Sequence, residues 1–168
     1  MVRRPTDDEA PGGRPCSMTL RAEEWAGGVA RTEVSAWLEI VGWPLVQAVG
    51  IVAAVGEAVD NVALHAYPPV EGVAAGTVAG LWGAVSVEAV VLAAAGTRRV
   101  RVVVRDWGSW NSLGVLQADG LGLQLINDLM DEVTIRPGIP EHGHGARPGD
   151  GAGTEVTMIS YAVSRRPG

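Results

Sequence analysis

The chain has 168 residues, is 47% hydrophobic and carries a net charge of −6, which suits one globular domain with a sizeable core and argues against nucleic acid as the main partner. It contains no lysine, which excludes a P-loop and Schiff-base chemistry, since both need that amine. One cysteine, Cys16, excludes an internal disulfide and a multi-cysteine zinc site.

The first residues carry proline, glycine and charge without apolar periodicity, so 1–16 reads as a disordered leader, 17–163 as the domain and 164–168 as a tail. The start does not resemble a secretory signal, and no run of roughly 18 uncharged apolar residues occurs. A cytoplasmic protein off the membrane is the expectation. Residues 17–21 suit a first strand. Val34, Trp37, Leu38 and Val41 fall at helical spacing and predict a helix over 30–41. Gly42 is a plausible stop, and Pro44 opens a second helix that runs to about Ala66 before Pro68 and Pro69 end it. Residues 70–83 give no clear pattern.

Residues 85–94 and 99–105 read as two strands joined by a turn near Gly96. In the second, Val100, Val102 and Val104 share one face, the mark of a strand covered on one side. Arg99, Arg101 and Arg105 share the other face with Val103, as a solvated surface or part of a partner surface. A turn follows at 106–110 and a loop at 109–120. Then come a short apolar helix at 121–130, a strand at 131–136 with Val133 and Ile135 inward, a glycine- and proline-rich loop at 137–153, and a last strand at 154–162. Helices first, then antiparallel strands with one helix inserted, predict an α+β fold: a two-layer α/β sandwich with a mostly antiparallel sheet and helices on one face.

The second helix carries the most informative stretch, AVGEAVDNVALHAY. Glu57, Asn61 and His65 are four residues apart and so lie on one helical face, among Val52, Val55, Val59, Val62 and Ala63. Such a row is either a solvated face or a site, with Glu57 as a proton acceptor and Asn61 as an oxygen ligand for a hard cation. His142 and His144 could touch a metal, but nothing fixes them. Ser109 and Ser112 lack a nucleophile elbow. Trp25, Trp37, Trp43 and Trp82 read as core or interface anchors, and Cys16 has no evident activation.

The words EAVDN and HAY resemble the N box of the Bergerat-fold (GHKL) ATPase superfamily, and within it the anti-sigma-factor serine/threonine kinases of the RsbW and SpoIIAB type. Three later stretches agree in order: VRDWG at 104–108 resembles the G1 box, DGLGLQLINDLMDEV at 119–133 the G2 box, and GTEVTM at 153–158 the last strand. Leu125 breaks the dinucleotide pattern GxGxxG. The likeness covers residues 17–162. Trp110 and Asp119 depart from the pattern of many relatives.

The resemblance implies ATP and Mg²⁺ as cofactors. It gives Asp106 the adenine amino group, with Thr154 in support, and gives Gly108 close approach to the base. Gly120, Leu121 and Gly122 would present backbone N–H groups to phosphate at a helix start without a lysine. Asn61 would hold Mg²⁺, and Glu57 would take the proton from a serine or threonine hydroxyl. The implied function is partner switching: binding a sigma factor and phosphorylating a STAS-type anti-sigma-factor antagonist, often as a homodimer. Two other readings stay open, a nucleotide-dependent binding module without transfer, and an ATP-hydrolysing switch.

Overall fold

The structure, a computed structural model, describes residues 13–67, 83–94, 96–108, 121–138 and 153–164. Its longest helix, α2 (Leu45–His65), follows α1 (Ala26–Ile40) after a short elbow. Pro44 is the N-cap of α2 in extended conformation, and Gly42 makes the turn with φ +61°, a conformation that favours glycine. α1 begins four residues ahead of the predicted start. Gly27 and Gly28 hide that first turn from a propensity argument. The bare Gly27 instead admits the Asp60 side chain from α2.

The elbow is held from the sheet. Arg98 donates from Nη1 to the carbonyl of Val41 at 2.8 Å, and from Nη2 to that of Gly42. Its guanidinium stacks over Trp43, 4.9 Å from the ring centroid. A cation thus meets the free carbonyls and negative end of α1.

The sheet comprises β1 (Cys16–Arg21), β2 (Ala84–Ala94), β3 (Thr97–Asp106), β4 (Glu132–Pro137), β5 (Thr154–Ile159) and β6 (Val163–Ser164). Its order is β1-β2-β3-β5-β4, with β6 beside the start of β3, and every pairing is antiparallel. The third described helix, α3 (Leu121–Leu129), lies between β3 and β4 in sequence. The two-layer α+β expectation holds. One face of the sheet buries Val85, Val87, Ala89, Val100, Val102, Val104, Val156 and Met158. Against it pack Ala30, Val34 and Leu38 of α1, Ile51, Val55, Val59 and Val62 of α2, and Ile126 of α3. By length and composition α2 would also suit a membrane span, but a core helix passes the same test, and here its buried side chains face that shared core.

Several boundaries differ from the expectation. β1 includes Cys16, and the Arg14 carbonyl accepts the Trp37 indole N–H at 2.8 Å, so chain ahead of residue 17 already packs on the domain. The last strand breaks at Ser160, whose Oγ accepts from the Val100 N–H at 2.9 Å while its own N–H donates to the Val100 carbonyl. Ile135 is 44% exposed rather than buried, on the edge strand β4, and Trp25 is 48% exposed. On the outer face, Arg99 pairs with Asp131 and Glu132, and Arg105 with Glu88 and Glu155. Two of the three arginines there are engaged within the sheet.

Candidate functional site

The polar row of α2 divides once it is folded. Glu57 and Asn61 are half-buried, whereas His65 is exposed. The difference comes from α3, whose first turn lies across the row at Gly122. A Cβ at Gly122 would stand 2.9 Å from Glu57 Oε2 and 3.4 Å from Asn61 Nδ2. A bare Cα lets the helix start approach both side chains this closely without displacing the Glu57 carboxylate. A helix start carries free N–H groups and the positive end of the dipole. The carboxylate and the carboxamide therefore face a place suited to anionic oxygens. Leu121 begins the helix.

The second half of the site is built at the end of β3. Asp106 is its last residue and is 2% exposed. Oδ1 accepts the Gly108 N–H at 2.8 Å, while Oδ2 is buried with no hydrogen-bond partner among the described residues. Burial pushes the Asp106 carboxyl above its ordinary 3.8, against the backbone N–H groups of Gly108 and Thr154, which pull it down. A buried acceptor without a donor is costly, so it suits an incoming N–H from a ligand. Thr154 is 7% exposed, and it is its backbone N–H that acts on the carboxylate.

Contacts at Gly108 and Tyr67 join the halves, and Gly153 braces the second one. A Cβ at Gly108 would meet the Ala66 carbonyl oxygen, at the end of α2, at 2.1 Å. Gly153 has φ +67°, donates to the Gly108 carbonyl at 3.1 Å, and would drive a Cβ into the Asp106 carbonyl oxygen at 1.9 Å. The Tyr67 hydroxyl accepts from the Trp107 N–H at 3.0 Å and donates to the Ala84 carbonyl at 2.7 Å. Sequence reasoning gave no role to Gly153 or Tyr67. Their signals were the glycine that opens GTEVTM and the tyrosine that closes HAY, but neither residue type states its partner.

The structure thus brings together Glu57, Asn61 and Gly122, and separately Asp106, Gly108 and Thr154. Gly120, Trp82, Trp110, Asp119, His142 and His144 lie outside the described residues, as do most of the 70–83 and 137–153 loops. Among the described residues no three His, Cys, Asp or Glu side chains cluster as a metal site.

Over residues 20–159 the chain matches the family described as histidine kinase-like ATPase domain. The chain belongs to that family. Its fold is a GHKL fold of the RsbW-like kind, with the open antiparallel sheet such domains share. One solved structure similar to this histidine kinase-like ATPase domain is described as the RsbU and RsbW domains of Rv1364c from Mycobacterium tuberculosis. It superposes with a TM-score of 0.53 at 23% identity, over 89% of this chain. This chain spans 32% of that protein's length. No curated protein matches it. An ATPase domain implies a nucleotide ligand, and both halves of the site fit one. The unpartnered Oδ2 of Asp106 suits an exocyclic amine, and bare Cα atoms stand at Gly108 and Gly122 where a side chain would crowd Ala66 or Glu57 and Asn61.

Proposed function

We propose that this protein is an ATP-dependent serine/threonine protein kinase of the anti-sigma-factor type, which phosphorylates a STAS-type antagonist and binds a sigma factor in the cytoplasm. The observation that carries the reading is the meeting of Glu57 and Asn61 with the start of α3 at Gly122. It sets a carboxylate and a carboxamide beside a helix start, which supports reading them as a base and an uncharged oxygen ligand next to N–H groups that suit phosphate.

Asp106 would accept the adenine amino group on Oδ2, the acceptor that lacks a donor among the described residues. Gly108 would let the base approach, with the Thr154 N–H holding the carboxylate. Gly120, Leu121 and Gly122 would offer backbone N–H groups to the phosphates. Asn61 would hold Mg²⁺ by its amide oxygen together with phosphate oxygens, and the ion would neutralise charge on the transferring group. Glu57 would take the proton of the substrate hydroxyl as its oxygen bonds to the γ-phosphorus. The bond to the bridging oxygen breaks, and ADP leaves with that electron pair. The RsbW domain in the similar structure supports a partner-switching role, in which a homodimer is the expected assembly.

Incubation with γ-labelled ATP, Mg²⁺ and a candidate STAS-type antagonist tests this. Label on a serine or threonine of the antagonist supports the proposal. Free phosphate without labelled protein favours the hydrolysing switch. ATP binding without turnover favours a nucleotide-dependent binding module.

A further inference from the structure

The two halves of the site come from distant stretches of chain, and the Tyr67 hydroxyl bonds across them. Tyr67 lies two residues beyond the end of α2, the helix that carries Glu57 and Asn61. Its oxygen accepts from the N–H of Trp107, the residue that follows Asp106, at 3.0 Å. The same oxygen donates to the carbonyl of Ala84, the first residue of β2, at 2.7 Å. Ala84 opens β2, and its neighbour Val85 pairs with Asp106 in the β2–β3 register. One side chain therefore bonds both strands at the point where β3 turns into the loop carrying Gly108. Beside this bridge, Gly108 is pressed on the Ala66 carbonyl. Contact and bridge together fix the end of α2 against the Asp106 turn.

We propose that Tyr67 is the positioning residue of the nucleotide site, setting where Asp106 presents its free oxygen relative to Glu57 and Asn61. This rests on the site being a nucleotide site, as proposed above. The Trp107 N–H is the first backbone donor after Asp106, so its partner limits the torsions of the turn. With that torsion held, Oδ1 is committed to the Gly108 N–H at 2.8 Å and Oδ2 is left as the free acceptor. Loss of the hydroxyl frees the Trp107 N–H and the Ala84 carbonyl together. The turn then has more than one way to satisfy them, and the carboxylate loses its single orientation. Burial keeps the phenol above its ordinary 10.0, a shift opposed by the Trp107 hydrogen bond and reinforced by the charge of Asp106. The hydroxyl thus remains a donor to Ala84 at neutral pH.

The role separates base recognition from phosphate binding. Tyr67→Phe keeps the ring and removes the bridge. In the full-length chain with Mg²⁺, calorimetry compares ATP, GTP and inorganic tripolyphosphate. The variant is expected to lose about threefold to tenfold in ATP affinity, the usual effect of one hydrogen bond, with GTP and tripolyphosphate little changed. Equal loss for ATP and tripolyphosphate would mean general loosening and would overturn the proposal, as would unchanged ATP affinity. A parent protein that binds no ATP would remove the nucleotide reading itself, and this proposal with it. Amide exchange in the unmodified protein gives a second measurement if the variant fails to fold. The Trp107 N–H should be protected like those of central β3, and free exchange there would also overturn the bridge.

Discussion

Arg31 of α1 donates to Asp60 of α2 at 2.9 Å, and each side chain lies over a glycine of the other's helix. A Cβ on Gly27 would be 1.8 Å from Asp60 Oδ1, and one on Gly56 would be 2.3 Å from Arg31 Nη1. The pair therefore interlocks the two helices at two notches and fixes the rotation of α2 about its axis. Successive helical residues point about 100° apart. With Asp60 held toward α1, Asn61 is turned toward α3.

The interlock predicts a sign change in a double-mutant cycle. Gly56→Ala should gain up to about 1 kcal/mol of helix propensity but lose about 1–3 kcal/mol through overpacking on Arg31. The net effect in urea denaturation is a loss of stability. In an Arg31→Ala background the obstruction is gone, and the same substitution should become neutral or stabilising. Arg31→Ala alone removes a pair whose side chains are 42% and 31% exposed, so it should cost only about 0.5–1 kcal/mol. A Gly56→Ala protein as stable as the parent would show that the notch has slack.

Asp106 predicts a stability change that depends on pH. Its carboxyl titrates above the ordinary 3.8 in the folded protein because burial disfavours the charge. The unfolded chain ionises first, so stability falls as pH rises from near 3.8 through the folded value. Asp106→Asn removes that penalty and can keep the oxygen that accepts from Gly108. The variant should match the parent in strong acid and be the more stable at pH 7, while losing preference for ATP over GTP. Stability curves that differ equally at both pH values would contradict the buried charge as the cause.

Glu57 and Asn61 should fail in different ways. Glu57→Ala is expected to bind Mg·ATP yet lose transfer to the protein substrate by about 10²–10⁴-fold, the usual contribution of a general base. Asn61→Ala is expected to lose the Mg²⁺ dependence of ATP binding. Titrations with and without Mg²⁺, and single-turnover transfer, separate the two. Transfer at the parent rate by Glu57→Ala would reduce Glu57 to a polar residue in a helix seam.

Arg98 is expected to matter for stability alone. Arg98→Ala removes the hydrogen bond to Val41, 2.8 Å long, and the stacking on Trp43. Charged hydrogen bonds are worth about 1.5–3 kcal/mol, and cation–π pairs about 0.5–2 kcal/mol, more as they are desolvated. Arg98→Lys keeps the charge but not the planar fork that reaches two carbonyls, so it should recover only part of the loss. Full recovery by lysine would show that charge at the helix end, rather than the paired hydrogen bonds, holds the elbow.

Sequence by itself determined the features that repeat locally. The four-residue spacing of Glu57, Asn61 and His65 put them on one helix face, and the valine alternation of β3 put one face of the strand in the core, because backbone periodicity alone dictates both. The ordered motifs led to the family and to Asp106 and Gly122. Periodicity had no means of separating His65, which is exposed, from Glu57 and Asn61, which α3 covers at Gly122. The placement of β5 between β3 and β4, the break at Ser160 and the interlock of Arg31 with Asp60 likewise arose only in three dimensions. So did the Tyr67 bridge and the unpartnered oxygen of Asp106. Each depends on groups far apart in the chain meeting at hydrogen-bond distance. Packing alone fixes such meetings, since a residue's type states what it can bond but not which distant partner arrives.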